Sequence, residues 1–407
     1  MSIEILSIGN ELLSGHTVNT NASVIAQALL KAGLIVDRVT YLPDNVERLT
    51  RGIEEAIERS SFIITSGGLG PTGDDLTREI VAKIYGTPLE YDEEIARDLS
   101  KRFGAHHKGI QDQSMVPKGA KVIQNTLGTA PGFILEGKAA IFVLPGVPSQ
   151  MESMLPSVCS YLESKALKKH RSETLYLCLI SEQEVDPYLR ELESRHPGLQ
   201  IGICPSYGTL SVYFQGEDAK VLRKVRDEVE KKFQDHVYST LDKQIELSVH
   251  QWMVRHGKTC SSAESCTGGI LAARFTEHPG ASDYFLGGVV SYSNHLKESA
   301  LGVSSKTLET FGAVSRETVE EMVKGACKVA GADYGLATSG IAGPTGGTEE
   351  KPVGTVWVAM KTPEKIFSGL VPFKSPPKSR ALIIDYSATY LLASFYRYIN
   401  YNIEPFA

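Results

Sequence analysis

Three apolar runs in the first 150 residues each end in glycine: IEILSIG (3–9), SFIITSGG (61–68) and AAIFVLPG (139–146). They read as buried strands. TNASVIAQALLKAG (20–33) is a helix closing at Gly33, LIVDRVTYL (34–42) a further strand, and NVERLTRGIEEAIERS (45–60) an amphipathic helix. A chain that alternates in this way has little choice, because parallel neighbours need a crossover and a helix supplies it. The expected fold is α/β: a mostly parallel, doubly wound sheet whose site forms from loops at the carboxyl ends of the strands.

At 407 residues the chain has room for two or three domains. Residues 1–168 form the first. In 169–245 the texture changes: ETLYLCLI, EVDPYLRELESRH, LQIGICPSYGTLSVYFQG and AKVLRKVRDEVEKKFQDH read as strand, helix, hairpin and helix, a small α+β module. Residues 246–407 return to α/β, with SSAESCTGG (261–269) between a short strand and a helix, and close on the long helix ALIIDYSATYLLASFYRYI (381–399). A net charge of −6 argues against broad nucleic-acid binding. With neither an apolar leader nor a spanning run, the expectation is a cytoplasmic protein without membrane contact. Six cysteines without metal-ligand spacing read as reduced thiols.

SGGLGPTGDDLT (66–77) follows a strand and precedes a helix. Its glycines let backbone amides approach a phosphate oxygen, and it is no P-loop, since no Gly-Lys-Ser/Thr follows. Glu11, from another strand end, with Asp74 and Asp75, would repel a phosphate unless a divalent cation bridged them. Plain helix capping by Asp74 and Asp75 is the alternative.

GNELLSGHTVNTN, SGGLGPTGDDLT, NTLGTAPG and LPGVPSQM, in this order, resemble the N-terminal domain of the CinA family (competence/damage-inducible protein A). The resemblance implies a molybdopterin-binding fold and a divalent-metal-dependent (Mg, Co or Mn) ADP-ribose pyrophosphatase yielding AMP and ribose 5-phosphate. It places Gly67, Gly68, Gly70, Thr72, Asn125, Gly128, Thr129, Pro145 and Gly146 at the substrate and Glu11, Asp74 and Asp75 at the metal. Asn10 stands where many relatives carry Asp, which would weaken metal affinity if that Asp is a ligand.

AESCTGG, GGVVSYSNHLK, FGAVS, SGIAGPTGG and KPVGTVW resemble the C-terminal domain of the same family, and SEQEVDPYL…IGICPSYG its KH-like linker module. The C-terminal resemblance implies hydrolysis of nicotinamide mononucleotide (NMN) to nicotinate mononucleotide and ammonia, without a cofactor. Amide hydrolysis needs a nucleophile, a base and oxyanion donors. Ser265 offers the hydroxyl, Lys297 a base of the Ser–Lys kind, with Tyr292 close by. The amides of Thr267, Gly268 and Gly269 can serve oxyanion or phosphate, with Ser339, Gly340 and Gly343 as a second cradle. Glu264 reads as an acceptor for substrate or loop, and Arg380 as a phosphate contact. Cys266 and Thr267 are rival nucleophiles, and Ser265 could simply cap the helix. A homodimer is expected. A non-catalytic carrier of a molybdopterin-type ligand, or a nucleic-acid adaptor, is the competing class.

Overall fold

The computed structural model describes residues 2–70, 72–73, 75–104, 109–165, 170–373 and 379–406. The chain divides into two compact units, 1–171 and 172–407.

In the first unit the strands are β1 (Ile3–Ile8), β2 (Arg38–Leu42), β3 (Phe62–Ser66), β4 (Leu89–Tyr91), β5 (Met115–Pro117), β6 (Lys121–Ile123), β7 (Gly132–Leu135) and β8 (Ala140–Leu144). Six form one sheet, ordered β2-β1-β3-β8-β7-β6; β4 and β5 pair separately. The four strands from β2 to β8 are parallel, and β7 and β6 continue antiparallel. Alternation sends successive side chains to opposite faces. Ile5, Ile64 and Phe142 pack on the helices Thr20–Lys31 and Pro148–Ser164, through Ile25, Leu29, Met154 and Val158. Leu6, Ile63 and Val143 meet Leu49 and Ile53 of the helix Val46–Arg59, and Ile80 and Val81 of the helix Thr77–Ile84. The expected double winding is therefore present. The stretch 34–42 is shorter as a strand than its apolar pattern suggests: only Arg38–Leu42 pairs with β1.

One polar group sits inside this sheet. Glu4, fully buried, accepts from Arg59 at 2.9 and 2.6 Å, from Thr40 at 2.7 Å and from Ser60 at 2.8 Å. Burial pushes its carboxyl up, but the Arg59 guanidinium and the two hydroxyls outweigh that and hold it below the ordinary value. Its contribution to stability is thus present above the unfolded value near 4.5 and lost as pH falls through the lower folded value. Arg59→Ala, which strands a buried carboxylate, should lower first-unit stability at pH 7 by about 3 kcal/mol. Urea unfolding from pH 3 to 7 reads both the loss and the steepness of the acid limb.

The second unit holds two sheets. The strands β9 (Arg171–Cys178), β10 (Gln200–Ser206), β11 (Thr209–Gly216) and β12 (Val237–Ser239) order as β10-β11-β9-β12. They pack on the helices Glu182–Arg195 and Ala219–Lys232 around Leu177, Leu189, Val212, Phe214 and Val225. This is the expected strand, helix, hairpin and helix. The strands β13 (Cys260–Glu264), β14 (Phe285–Val290), β15 (Tyr334–Gly340), β16 (Val356–Lys361) and β17 (Ile366–Leu370) order as β14-β13-β15-β16-β17. Leu336, Val358 and Met360 face the helices Ile245–His256 and Arg380–Tyr401. Ala263, Ala337 and Ala359 face the helix Arg316–Ala330. The boundary expected at 245/246 falls inside this unit, and Cys178 of β9 and Tyr238 of β12 join the core under the second sheet. All six cysteines are free thiols. No helix among the described residues is long and apolar enough to cross a membrane.

Candidate active site

The strand β13 lies one in from the edge of the second sheet, with β14 and β15 parallel on either side. Glu264 is level with Val290 on one side and Thr338 on the other. The next residues, Ser265, Ser291 and Ser339, therefore emerge together at the carboxyl edge, where open α/β sheets bind ligands. SSAE is strand rather than turn, and the preceding RH closes a helix.

Ser293 caps the helix Asn294–Leu301 by accepting from Leu296 N, which starts the helix where Lys297 turns inward. Lys297 Nζ donates to Ser265 Oγ at 3.1 Å and to the Ser291 carbonyl at 2.7 Å. Lys297 is 1% exposed and Ser265 8%. No carboxylate is among these partners, and burial pushes the lysine amine below its ordinary value. The hydroxyl of Ser291 is also buried, without a partner among the described residues. Ser265 N donates to Thr338 O at 3.0 Å, which fixes Ser265 against β15.

Glu264 ties the loop to the helix that follows it. Fully buried, it accepts from Thr267 Oγ1 at 2.7 Å and from the amides of Gly269, Leu271 and Ala272 at 3.0, 3.1 and 2.9 Å. It thereby takes up the free amides at the start of the helix Ile270–Thr276. Thr267 is spent in the same way, since its hydroxyl also lies 2.7 Å from that of Thr338. Gly269 N serves Glu264, and Gly268 N donates to Ser265 O at 3.2 Å, so two of the three expected oxyanion amides are committed. Ser265 does not cap this helix; Gly269 stands at that position. Cys266 is 5% exposed within the apolar core, and burial pushes its thiol up to about 12. That is a packing group, not a thiolate.

Tyr292 does not reach the lysine–serine pair. It is exposed, and its hydroxyl accepts from Arg380 at 3.2 Å, while the other guanidinium nitrogen donates to Gly343 O at 2.9 Å. Tyr292, Gly343 and Arg380 make a rim instead. Ser339 turns away, its hydroxyl donating to Ala313 O at 2.6 Å. Gly340 is small because a Cβ would strike Val356 of β16.

In the first unit, Gly67 turns the chain at the end of β3 with φ 116°, where a Cβ would collide with the Ile8 carbonyl oxygen. Gly146, after β8, lies against it. Between them Asn21 Nδ2 donates to Gly146 O at 2.7 Å and Ser66 Oγ at 2.9 Å, and its Oδ1 is buried without a partner among the described residues. Pro145 O accepts from Ser66 Oγ, and Gly68 O accepts from Thr77 N. Several expected ligand contacts are internal ties. Thr72 donates through its amide and hydroxyl to Asp75 Oδ2, under Gly70, so Asp75 closes this turn and caps nothing: the helix begins at Thr77. Asn125 gives both amide hydrogens to Ala130 O and Gln150 Oε1 and accepts from Leu127 N and Gly128 N. Thr129 lines a cavity of about 210 Å3 beside the helix Glu93–Phe103. Glu11 is exposed and folds back over Gly9, and Asn10 N donates to Asp44 Oδ2, a carboxylate sequence reading did not single out. Asp74 lies outside the described residues. Among the described residues no three His, Cys, Asp or Glu side chains converge to hold a metal. The donors that can be placed, Glu11 and Asp75, do not make a metal cage.

Residues 242–399 match the CinA C-terminal domain family, and residues 4–164 match the family described as "Probable molybdopterin binding domain". Over 382 residues, 90% of this chain, the sequence is 39% identical to the CinA-like protein of Desulfosudis oleivorans, covering 92% of that protein. The chain belongs to the CinA family. It is 38% identical to the CinA-like protein of Thermosipho melanesiensis, over 87% of this chain and 88% of that one. A crystal structure of the CinA protein of Thermoplasma acidophilum aligns with 41% of this chain and 98% of its own, at 34% identity and a TM-score of 0.37.

Proposed function

We propose that the second unit of this CinA protein is an amidase that hydrolyses the carboxamide of NMN to nicotinate mononucleotide and ammonia. One observation carries the reading: a buried lysine with no carboxylate partner among the described residues, 3.1 Å from the hydroxyl of a serine at the carboxyl edge of the sheet. In its neutral form Lys297 accepts the Ser265 proton as the hydroxyl attacks the amide carbon, then returns it to the departing ammonia. Water attacks the resulting ester as Lys297 takes its proton, and Lys297 passes that proton to Ser265 Oγ as the carbon–Oγ bond breaks and the nicotinate leaves. The Thr267 amide is the member of the expected oxyanion set left for the tetrahedral oxygen. No step uses a metal. Ammonia released from NMN by the full chain in EDTA is the expected result; none, under conditions where the chain is folded, would sink the reading.

Arg380 is suited to the NMN phosphate at the rim. Arg380→Ala should raise KM about tenfold or more and leave kcat within threefold, because the phosphate is equally bound before and during reaction. A loss confined to kcat would place Arg380 elsewhere in the mechanism.

For the first unit the proposal is ADP-ribose hydrolysis, favoured by the close approach of the Gly67 and Gly146 turns and by the buried Asn21 oxygen, which has no partner among the described residues. Metal dependence would rest on Asp74 joining Glu11 and Asp75, which by themselves do not make a cage. AMP formed from ADP-ribose by the full chain, and lost in Asn21→Leu while NMN turnover stays, is the expected pattern. A soluble, folded chain that forms no AMP with or without Mg2+, Mn2+ or Co2+ rejects it.

A further inference from the structure

A cavity of about 640 Å3 lies in the second unit, lined by neither Ser265 nor Lys297. One wall is the end of β9 and the β10–β11 turn, at Leu179, Ser206 and Thr209; the other is the helix Arg380–Tyr401 and the residues that follow it. Four lining rings run in sequence: Phe373 to Tyr386 at 5.1 Å between centroids, Tyr386 to Tyr390 at 6.2 Å, and Tyr390 to Phe406 at 5.9 Å. Leu179 and Phe406 hold left-handed backbone, φ 52° and 64°, although neither is glycine. Side chains make that conformation costly, so it persists only where the surroundings enforce it.

The size suits a small molecule, and the ring chain suits a flat one. The polar lining narrows the class further. Ser206, Thr209 and Ser394 offer hydroxyls, and Glu182 and Glu404 offer carboxylates that can accept from amino or sugar hydroxyl groups. Among the described lining residues the cation is Arg397, and it is already engaged: Nε donates to Asp235 O at 2.9 Å and a terminal nitrogen to Asp235 Oδ2 at 3.2 Å. Among the described lining residues a phosphate would meet acids and no available cation.

We propose that this cavity binds a planar heteroaromatic molecule without phosphate, a nucleobase or nucleoside, stacked against Tyr386 and Tyr390. The probes are adenosine and AMP, titrated calorimetrically into the full chain. Adenosine should bind saturably, and AMP at least tenfold more weakly. Tyr390→Ala should weaken adenosine at least tenfold. Because Tyr390 is a core residue, Ser206→Trp is the second variant: its site is exposed, the indole fills the mouth, and it should abolish binding with the thermal midpoint unchanged. Absence of saturable adenosine binding to the full chain overturns the proposal, as does equal binding by Ser206→Trp, or AMP binding as tight as adenosine. Binding is read without turnover, so its outcome is separate from that of the amidase reading.

Discussion

Ser265→Ala should lower the proposed NMN deamidation about 10,000-fold, and Lys297→Met should lower it by a similar factor. The two residues share one proton, so removing either disables the same step, and the double variant should be scarcely worse than either single one. Stability separates this from a structural role. Lys297 is an amine held below its ordinary value by burial, so the unfolded chain binds its proton more tightly than the folded one. Stability therefore rises with pH as the folded value is passed, toward the unfolded value of 10.5. Lys297→Met removes that penalty and keeps the volume, so its thermal midpoint at pH 7 should be no lower than that of the parent. Deamidation by the parent should rise with pH along the limb set by Lys297. Cys266→Ala, by contrast, should retain most activity. An inactive but stable Cys266→Ala, or a stable Ser265→Ala with near-normal turnover, would refute the assignment of the nucleophile.

Glu264→Ala carries the second large effect, on folding. Removing that carboxylate leaves three amides, two of them only part-buried, without their acceptor and leaves the Thr267 hydroxyl with Thr338 Oγ1 alone. At about 1–3 kcal/mol for each unsatisfied buried donor, partly relieved by relaxation, the second unit should lose about 4 kcal/mol. Glu264→Gln keeps the shape but points a donor at donors, and should recover less than half of the loss. Urea unfolding of the two variants measures this. If Glu264→Ala unfolds with the parent and fails only in KM, the carboxylate contacts substrate after all.

Much of the fold was legible because burial on both faces of a parallel sheet writes itself into apolar runs, and glycine at their ends marks a turn side chains cannot make. Ser265 and Lys297 were legible as residue types, a hydroxyl and an amine in the segments SSAESCTGG and SYSNHLK. The same composition left the roles of Glu264, Thr267, Asn125 and Asp75 open. Polar residues in glycine loops look alike whether they bind a ligand or tie the loop to itself, since both roles need short side chains with spare hydrogen-bonding capacity. Only the closed structure shows where that capacity went: Glu264 into the amides behind it, Asn125 into its own turn, Asp75 into Thr72. Tertiary structure also decided what sits beside the nucleophile. Ser291 and Thr338 reach Ser265 because β14 and β15 flank β13 in register, a relation between segments 26 to 73 residues apart that local pattern cannot carry. The low amine value of Lys297 has the same origin, for it depends on water being excluded by elements distant in the chain.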